Sequence, residues 1–143
     1  MKAKVFISVL WSLSLAFILY NATQTGSESS GFSLEVAIIL SNVLSNIGIR
    51  VNIENFHALI RVGGHVFQYF IFGYITLWVM LIYHLKWYNI FRTMYVMILD
   101  ETIQLFTPGR AGELFDILLD SIGVFLAVLF FLFTKQFFKK NGG

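Results

Sequence analysis

The sequence predicts an all-α, polytopic membrane domain, a bundle of four transmembrane helices with one or two amphipathic helices in the first external loop. Three observations carry that expectation. Hydrophobic residues make up 57% of the 143-residue chain and charged residues 13%, where a soluble domain carries about 25% charge. Mean hydropathy is +0.76, which is more apolar surface than an interior of this size can hide. The apolar residues also fall in long runs without period-two alternation, which favours helices over a barrel. A soluble enzyme is therefore disfavoured. The absence of Cys excludes disulfides, thiolate metal sites and Cys nucleophiles. The net charge of +2, with no basic stretch interleaved with aromatics, argues for no nucleic acid partner.

Four segments approach the ~20 residues needed to cross ~30 Å of hydrocarbon. They are residues 5–22, 66–85, 91–106 and 117–134. Lys2 and Lys4 before the first run resemble a signal peptide, but Asn21-Ala22-Thr23 lacks a small-x-small cleavage site, so an uncleaved span is expected. The third run is short and carries Asp100 and Glu101; the fourth has Asp120 near its start. A cytoplasmic N-terminus puts Lys2, Lys4, Lys86, Arg92, Lys135, Lys139 and Lys140 inside, and Arg50, Arg61 and Arg110 outside. That bias places both termini in the cytoplasm. The chain reads as one domain over residues 1–143.

The first external loop, about Thr23 to Gly64, is too long for a simple turn. Val36, Leu40, Val43, Leu44 and Ile47 recur at helical spacing among Ser33, Ser41, Asn42, Ser45 and Asn46. This predicts a helix lying at the outer membrane surface or packing on the bundle. A second short helix is expected over Ile53 to Ile60, with Phe56, Leu59 and Ile60 apolar.

Ionisable groups inside a membrane are costly unless paired or hydrated, and they mark function by default. Here they gather at one level. Arg61, His65 and Gln68 sit at the start of span two. Asp100, Glu101 and Gln104 occupy the end of span three, and Asp116 and Asp120 the start of span four. Asp100 lies about 9 Å inside Phe106, and Asp120 about 6 Å inside Asp116, so the group falls in the outer half of the bilayer. Asp100 with Gln104, and Asp116 with Asp120, are spaced to stack on one helix face. Gly123 and Ala127 continue that stripe and admit a neighbouring helix. Arg61 and Arg110 are the expected counter-ions. Pro108-Gly109-Arg110 reads as a tight turn that aims Arg110 over the carboxylates.

Such a cluster suits an outward-facing site for a phosphate-bearing or amine-bearing headgroup. The competing reading is a salt-bridge network that locks the helix ends. The expected catalytic groups are His65, Asp100, Glu101, Asp116 and Asp120; the expected substrate contacts are Arg61, Gln68, Tyr69, Gln104 and Arg110. No cofactor is expected, and a metal is left open. The four carboxylates offer hard oxygen ligands for Mg²⁺, Mn²⁺ or Ca²⁺, while a single His suits Zn²⁺ less well. His57 and His84 are expected to be structural. Tyr69, Gly73 and Trp78 are expected to pack the bundle or anchor the interface, and Phe130, Phe131 and Phe133 to face lipid.

At these residues the sequence resembles the VanZ-like family of small bacterial membrane proteins. One motif is R-x-x-x-H-x-x-x-Y-x-x-x-G, present as Arg61, His65, Tyr69 and Gly73. The second comprises Asp100, Glu101, Gln104, Phe106, Pro108, Gly109, Arg110, Gly112, Asp116, Asp120 and Gly123 in order. Gln24, Ser29, Ser30 and Ser33 resemble the family's Ser-rich stretch after the first span. The family often has Lys where this chain has Val62, and Glu where it has Gln68. The resemblance implies a bacterial plasma-membrane protein linked to resistance against lipoglycopeptides of the teicoplanin type. Membrane lipids are then the expected partners, with a lipid-linked cell-wall precursor or the lipoglycopeptide itself as further ligands.

The alternative is an integral membrane phosphohydrolase or transferase acting on a lipid-linked phosphate, with Arg holding phosphate and a carboxylate as base or metal ligand. The acid-phosphatase P-S-G-H box is missing, as are the upstream partners of a CDP-alcohol transferase motif. A small multidrug exporter needs an acidic residue at mid-membrane, and span one carries none.

Overall fold

The computed structural model describes residues 2–110 and 113–141, the last five of these by backbone alone. Gly112 of the second motif and the side chains of Lys139 and Lys140 therefore lie outside the described residues. The described chain is all helical: α1 Lys2–Thr23, α2 Gly26–Asn46, α3 Ile53–Ile82, α4 Arg92–Leu105 and α5 Leu114–Asn141, with a 3₁₀ turn at Trp87–Phe91 before α4.

Local chemistry sets the boundaries. Thr25 and Glu28 form a reciprocal capping box at the start of α2, and Gly48, at φ +86°, turns the chain after its end. Asn52 caps α3 by accepting from the Asn55 N–H at 3.1 Å. At the other end His84 takes φ 54°, and the Leu85 N–H reaches the Met80 carbonyl at 2.8 Å. That is a left-handed helix stop, and it gives His84 the structural role expected of it.

The expected short helix over Ile53 to Ile60 is not separate. It forms the first turns of α3, which runs unbroken for 30 residues. Gly63 and Gly64 do not interrupt it; nothing packs where their Cβ atoms would stand. Three helices, α1, α3 and α5 as far as Gln136, are long and apolar enough to cross a membrane. The 14 residues of α4 span only about 21 Å, short of ~30 Å of hydrocarbon.

α3 is the hub, touching every other helix except α4 extensively. Side-chain pairs give the directions. Ser8 meets Tyr83, Trp11 meets Thr76 and Asn21 meets Gln68, so α1 and α3 are antiparallel. His65 meets Asp120 and Gly73 meets Ala127, so α3 and α5 run parallel. α4 returns between α1 and α5, with its C-terminal end beside the end of α1: the Thr107 hydroxyl donates to the Ala22 carbonyl at 3.0 Å. The core is Ile18, Tyr69, Phe72 and Met97, flanked by Trp11, Leu15, Val96 and Val124.

Close approach of α3 and α5 depends on two glycines. A Cβ on Gly123 would run into the Val66 carbonyl oxygen and stand 2.9 Å from the Phe70 nitrogen. One on Gly73 would stand 3.2 Å from Ala127 Cβ. The expected Gly123–Ala127 stripe is thus the seam between the two helices. Phe131 departs from the lipid-facing expectation. It is buried, with its ring 5.4 Å from that of Trp78 and 6.2 Å from that of Tyr74. An edge-on aromatic cluster at the far end of the α3–α5 seam holds it there. Phe6, Phe17, Phe125 and Phe133 point outward.

Candidate functional site

The polar residues gather where α1 and α4 end, where α5 begins, and three turns into α3. The α3–α5 seam sets the register: the contact at Gly123 lies one turn beyond Asp120 and brings that residue against His65. His65 Nδ1 is 3.2 Å from Asp120 Oδ1, and Nε2 is 3.8 Å from Asp116 Oδ2. Asp120 is fully buried, whereas His65 and Asp116 keep partial exposure. α4 supplies the facing wall. Both oxygens of Asp100 are satisfied: the Tyr69 hydroxyl donates to Oδ2 at 3.0 Å and the Gln104 amide to Oδ1 at 2.9 Å. Glu101 receives the Glu113 backbone N–H on Oε2 at 3.0 Å. Its Oε1 and Asp120 Oδ2 are buried and have no hydrogen-bond partner among the described residues. One ligand atom from each of His65, Glu101 and Asp120 lies within 4.8 Å of the others.

In front of this cluster opens a cavity of about 430 Å³. Arg61, His65, Gln104, Arg110, Glu113 and Asp116 give it its polar lining; Gly26 and Ser29 of α2 border it, and Val62, Phe115 and Leu119 add apolar wall. The expected site residues thus divide in two. Arg61, His65, Gln104, Arg110 and Asp116 line the cavity. Asp100, Glu101 and Asp120 stand buried behind it. Tyr69 is buried beneath Asp100, and Gln68 accepts from the Asn21 amide at 2.7 Å, so neither reaches the cavity lining.

The two arginines differ from expectation. Among the described residues neither forms an ion pair with a carboxylate. Thr107 to Arg110 form the expected turn, with Gly109 at φ +73° and the Arg110 N–H bonded to the Thr107 carbonyl at 3.2 Å. The turn directs Arg110 toward the end of α1, where Nη1 donates to the Asn21 carbonyl at 2.9 Å. Arg61 stands one turn before His65 on α3 and is exposed at the mouth. Both cations line the cavity rather than sitting in direct contact with the carboxylates.

Sequence reasoning missed Asn21, which joins Gln68 and Arg110 through its side chain and its carbonyl. A polar residue closing an otherwise apolar span was the available signal. It also missed Glu113, whose backbone N–H holds Glu101, and Ser29, which borders the cavity. His57 has the structural role expected: its Nε2 is 2.8 Å from the Ser33 hydroxyl and ties α2 to α3.

No match was found among curated proteins or solved structures. A family model described as VanZ/LLP1 matches residues 5–135. The match takes in nearly the whole helical bundle and every residue of the cluster. The chain belongs to the VanZ/LLP1 family.

Proposed function

We propose that this protein crosses the bacterial plasma membrane four times with both termini inside. Its outward-facing cavity takes the phosphate-bearing headgroup of a membrane lipid or lipid-linked cell-wall precursor. Binding there alters envelope susceptibility to lipoglycopeptides of the teicoplanin type. The observation that carries the reading is the pair of cavity-lining arginines, Arg61 and Arg110, with no carboxylate ion pair among the described residues. Guanidinium groups held at a water-accessible wall are matched to phosphate. Asp116 and Glu113 on the same lining suit an ammonium group, so a zwitterionic headgroup fits the wall as well as an anionic one.

The short α4 supports this placement. Trp87, Tyr88 and Phe91 are exposed just before it, as aromatics at a membrane interface are. If they anchor one end of α4, its shortfall of about 9 Å falls at the other end, where the cavity opens. A headgroup then enters at its own depth.

The test is a pair of variants, Arg61→Ala and Arg110→Ala. In each, binding of phosphatidylglycerol to the purified protein falls about tenfold, the loss of one charge-assisted contact worth ~1.5 kcal/mol. Teicoplanin protection in cells falls with it. Unchanged binding in both variants ends the headgroup reading.

A second reading is hydrolysis or transfer at a lipid-linked phosphate. The 3.2 Å contact of His65 with Asp120 favours it, since a carboxylate-oriented imidazole at a cavity wall is the arrangement of a general base. Asp120→Asn would then abolish turnover while leaving the protein inserted. Full teicoplanin protection by that variant at equal abundance would remove the catalytic reading and leave the binding one.

A further inference from the structure

Four carboxylates and one imidazole meet at the back of the cavity, and their charges are unevenly answered. Asp100 has a donor on each oxygen. Asp116 reaches the cavity. Glu101 and Asp120 are 5% and 0% exposed, and each keeps one buried oxygen without a partner among the described residues. The arginines that could neutralise them form no ion pair with them. Burying unpaired carboxylates is costly, and a bound cation is a usual remedy.

We propose that His65, Glu101 and Asp120 form a site for a divalent cation of the Mn²⁺/Mg²⁺ class. Three features fit. The ligand atoms of the three residues lie within 4.8 Å of one another; around such an ion at ~2.1 Å, ligands stand ~3.0 Å apart in cis and ~4.2 Å in trans. His65 Nδ1 and Asp120 Oδ1, at 3.2 Å, are already near the cis separation. With Nδ1 on the metal, Nε2 is left for Asp116, whose Oδ2 stands 3.8 Å away, longer than a hydrogen bond but within a small closure of the carboxylate–histidine–metal relay that orients an imidazole ligand. Two carboxylates with one imidazole suit Mn²⁺ or Mg²⁺ better than a thiolate-seeking or multi-histidine metal. His65 carries the site to the cavity wall, so the ion keeps positions open on that side. Its role as a bridge to phosphate rests on the headgroup reading above; the site itself does not.

The full-length protein in detergent, stripped with EDTA, is titrated with Mn²⁺ while the EPR signal of the free ion is followed. Stoichiometric uptake is expected, weakened at least ~10-fold in Asp120→Asn and in Glu101→Gln. Each amide keeps the carboxylate's shape and removes its charge. The metal-free variants should therefore melt no lower than the metal-free parent, while the rise in Tm that Mn²⁺ gives the parent disappears. Should Asp120→Asn fail to fold, Glu101→Gln carries the comparison, because its Oε1 has no hydrogen bond to lose. No uptake by the parent, or uptake unchanged in the folded amide variants, overturns the site. Arg61→Ala separates the two claims. It should keep Mn²⁺ uptake and lose phosphatidylglycerol binding. A parent that binds the lipid but no Mn²⁺ ends the cation site alone; one that binds Mn²⁺ but no phosphatidylglycerol ends the headgroup reading alone.

Discussion

Gly123 sets how close α5 can come to α3, and through that distance whether His65 reaches Asp120. A Cβ there would meet backbone, the Val66 carbonyl and the Phe70 nitrogen, which cannot rotate away. Gly123→Ala should therefore cost about 1–3 kcal/mol, as overpacking does, despite the ~1 kcal/mol that Ala gains over Gly in a helix. Gly73→Ala meets Ala127 Cβ at 3.2 Å and Val124 Cα at 3.3 Å, so the helices need give only a little. Its net change should stay within about 1 kcal/mol. Thermal melts of the two variants in one detergent make the comparison; equal destabilisation would mean that the seam is looser than these distances. Gly123 was legible as a small residue in an apolar stripe. The arginines were not legible in the same way. Opposite charges at one level suggested pairing, but whether Arg110 meets a carboxylate or the Asn21 carbonyl depends on where a turn points. Spacing along the chain carries no information about that.

Among the elements, α2 shows what a helix start can and cannot reveal. Its capping residues, Thr25 and Glu28, stand in plain view in the sequence, and the apolar spacing from Val36 to Ile47 predicts a helix. The helix begins 10 residues earlier, at Gly26, because the capping box works regardless of the Ser-rich composition behind it. The Thr25 hydroxyl and backbone N–H hold the Glu28 carboxyl below its ordinary value of 4.5. A depressed carboxyl stabilises the fold above its unfolded value and loses that contribution as pH falls through its folded value. The first turn of α2 should therefore fray as pH falls below that ordinary value and through the lowered one. Hydrogen exchange of the Glu28 and Ser29 amides, corrected for intrinsic rates, reads this directly. Thr25→Ala should show the same fraying already at neutral pH and little further change on acidification. At α3 too the helix is longer than the pattern suggests: the short helix expected over Ile53 to Ile60 and span two are one element. A helix with Asn52 as its cap and α2 packed along it runs on through Gly63 and Gly64. Tertiary support outweighed local propensity.

For the whole molecule, the apolar spans were legible because composition alone marks them, and the site because charge stands out on that background. The number of crossings is harder to read, since it turns on α4. At 30 residues, α3 is about 45 Å long, more than a bilayer core requires. Gln68 meets Asn21 two residues before α1 ends, so in this antiparallel pair the first turns of α3 extend beyond the end of α1, alongside α2. If α4 crosses, Glu54 at the start of α3 and Tyr88 before α4 lie on opposite sides, and Glu113 returns to the side of Glu54. The absence of native Cys makes this measurable by single-cysteine labelling. Glu54→Cys and Glu113→Cys should react with a membrane-impermeant maleimide in intact cells. Tyr88→Cys, exposed in the fold, should react only after permeabilisation. Labelling of Tyr88→Cys from outside would put both ends of α3 on one side of the membrane, so that α3 itself would not cross, and it would place Lys86 and Arg92 outside, against the bias that orients the other spans. If instead Glu113→Cys reacts only after permeabilisation while Glu54→Cys reacts in intact cells, both ends of α4 lie inside; α4 is then a re-entrant segment, and its buried Asp100 and Glu101 sit on a helix that does not traverse the membrane.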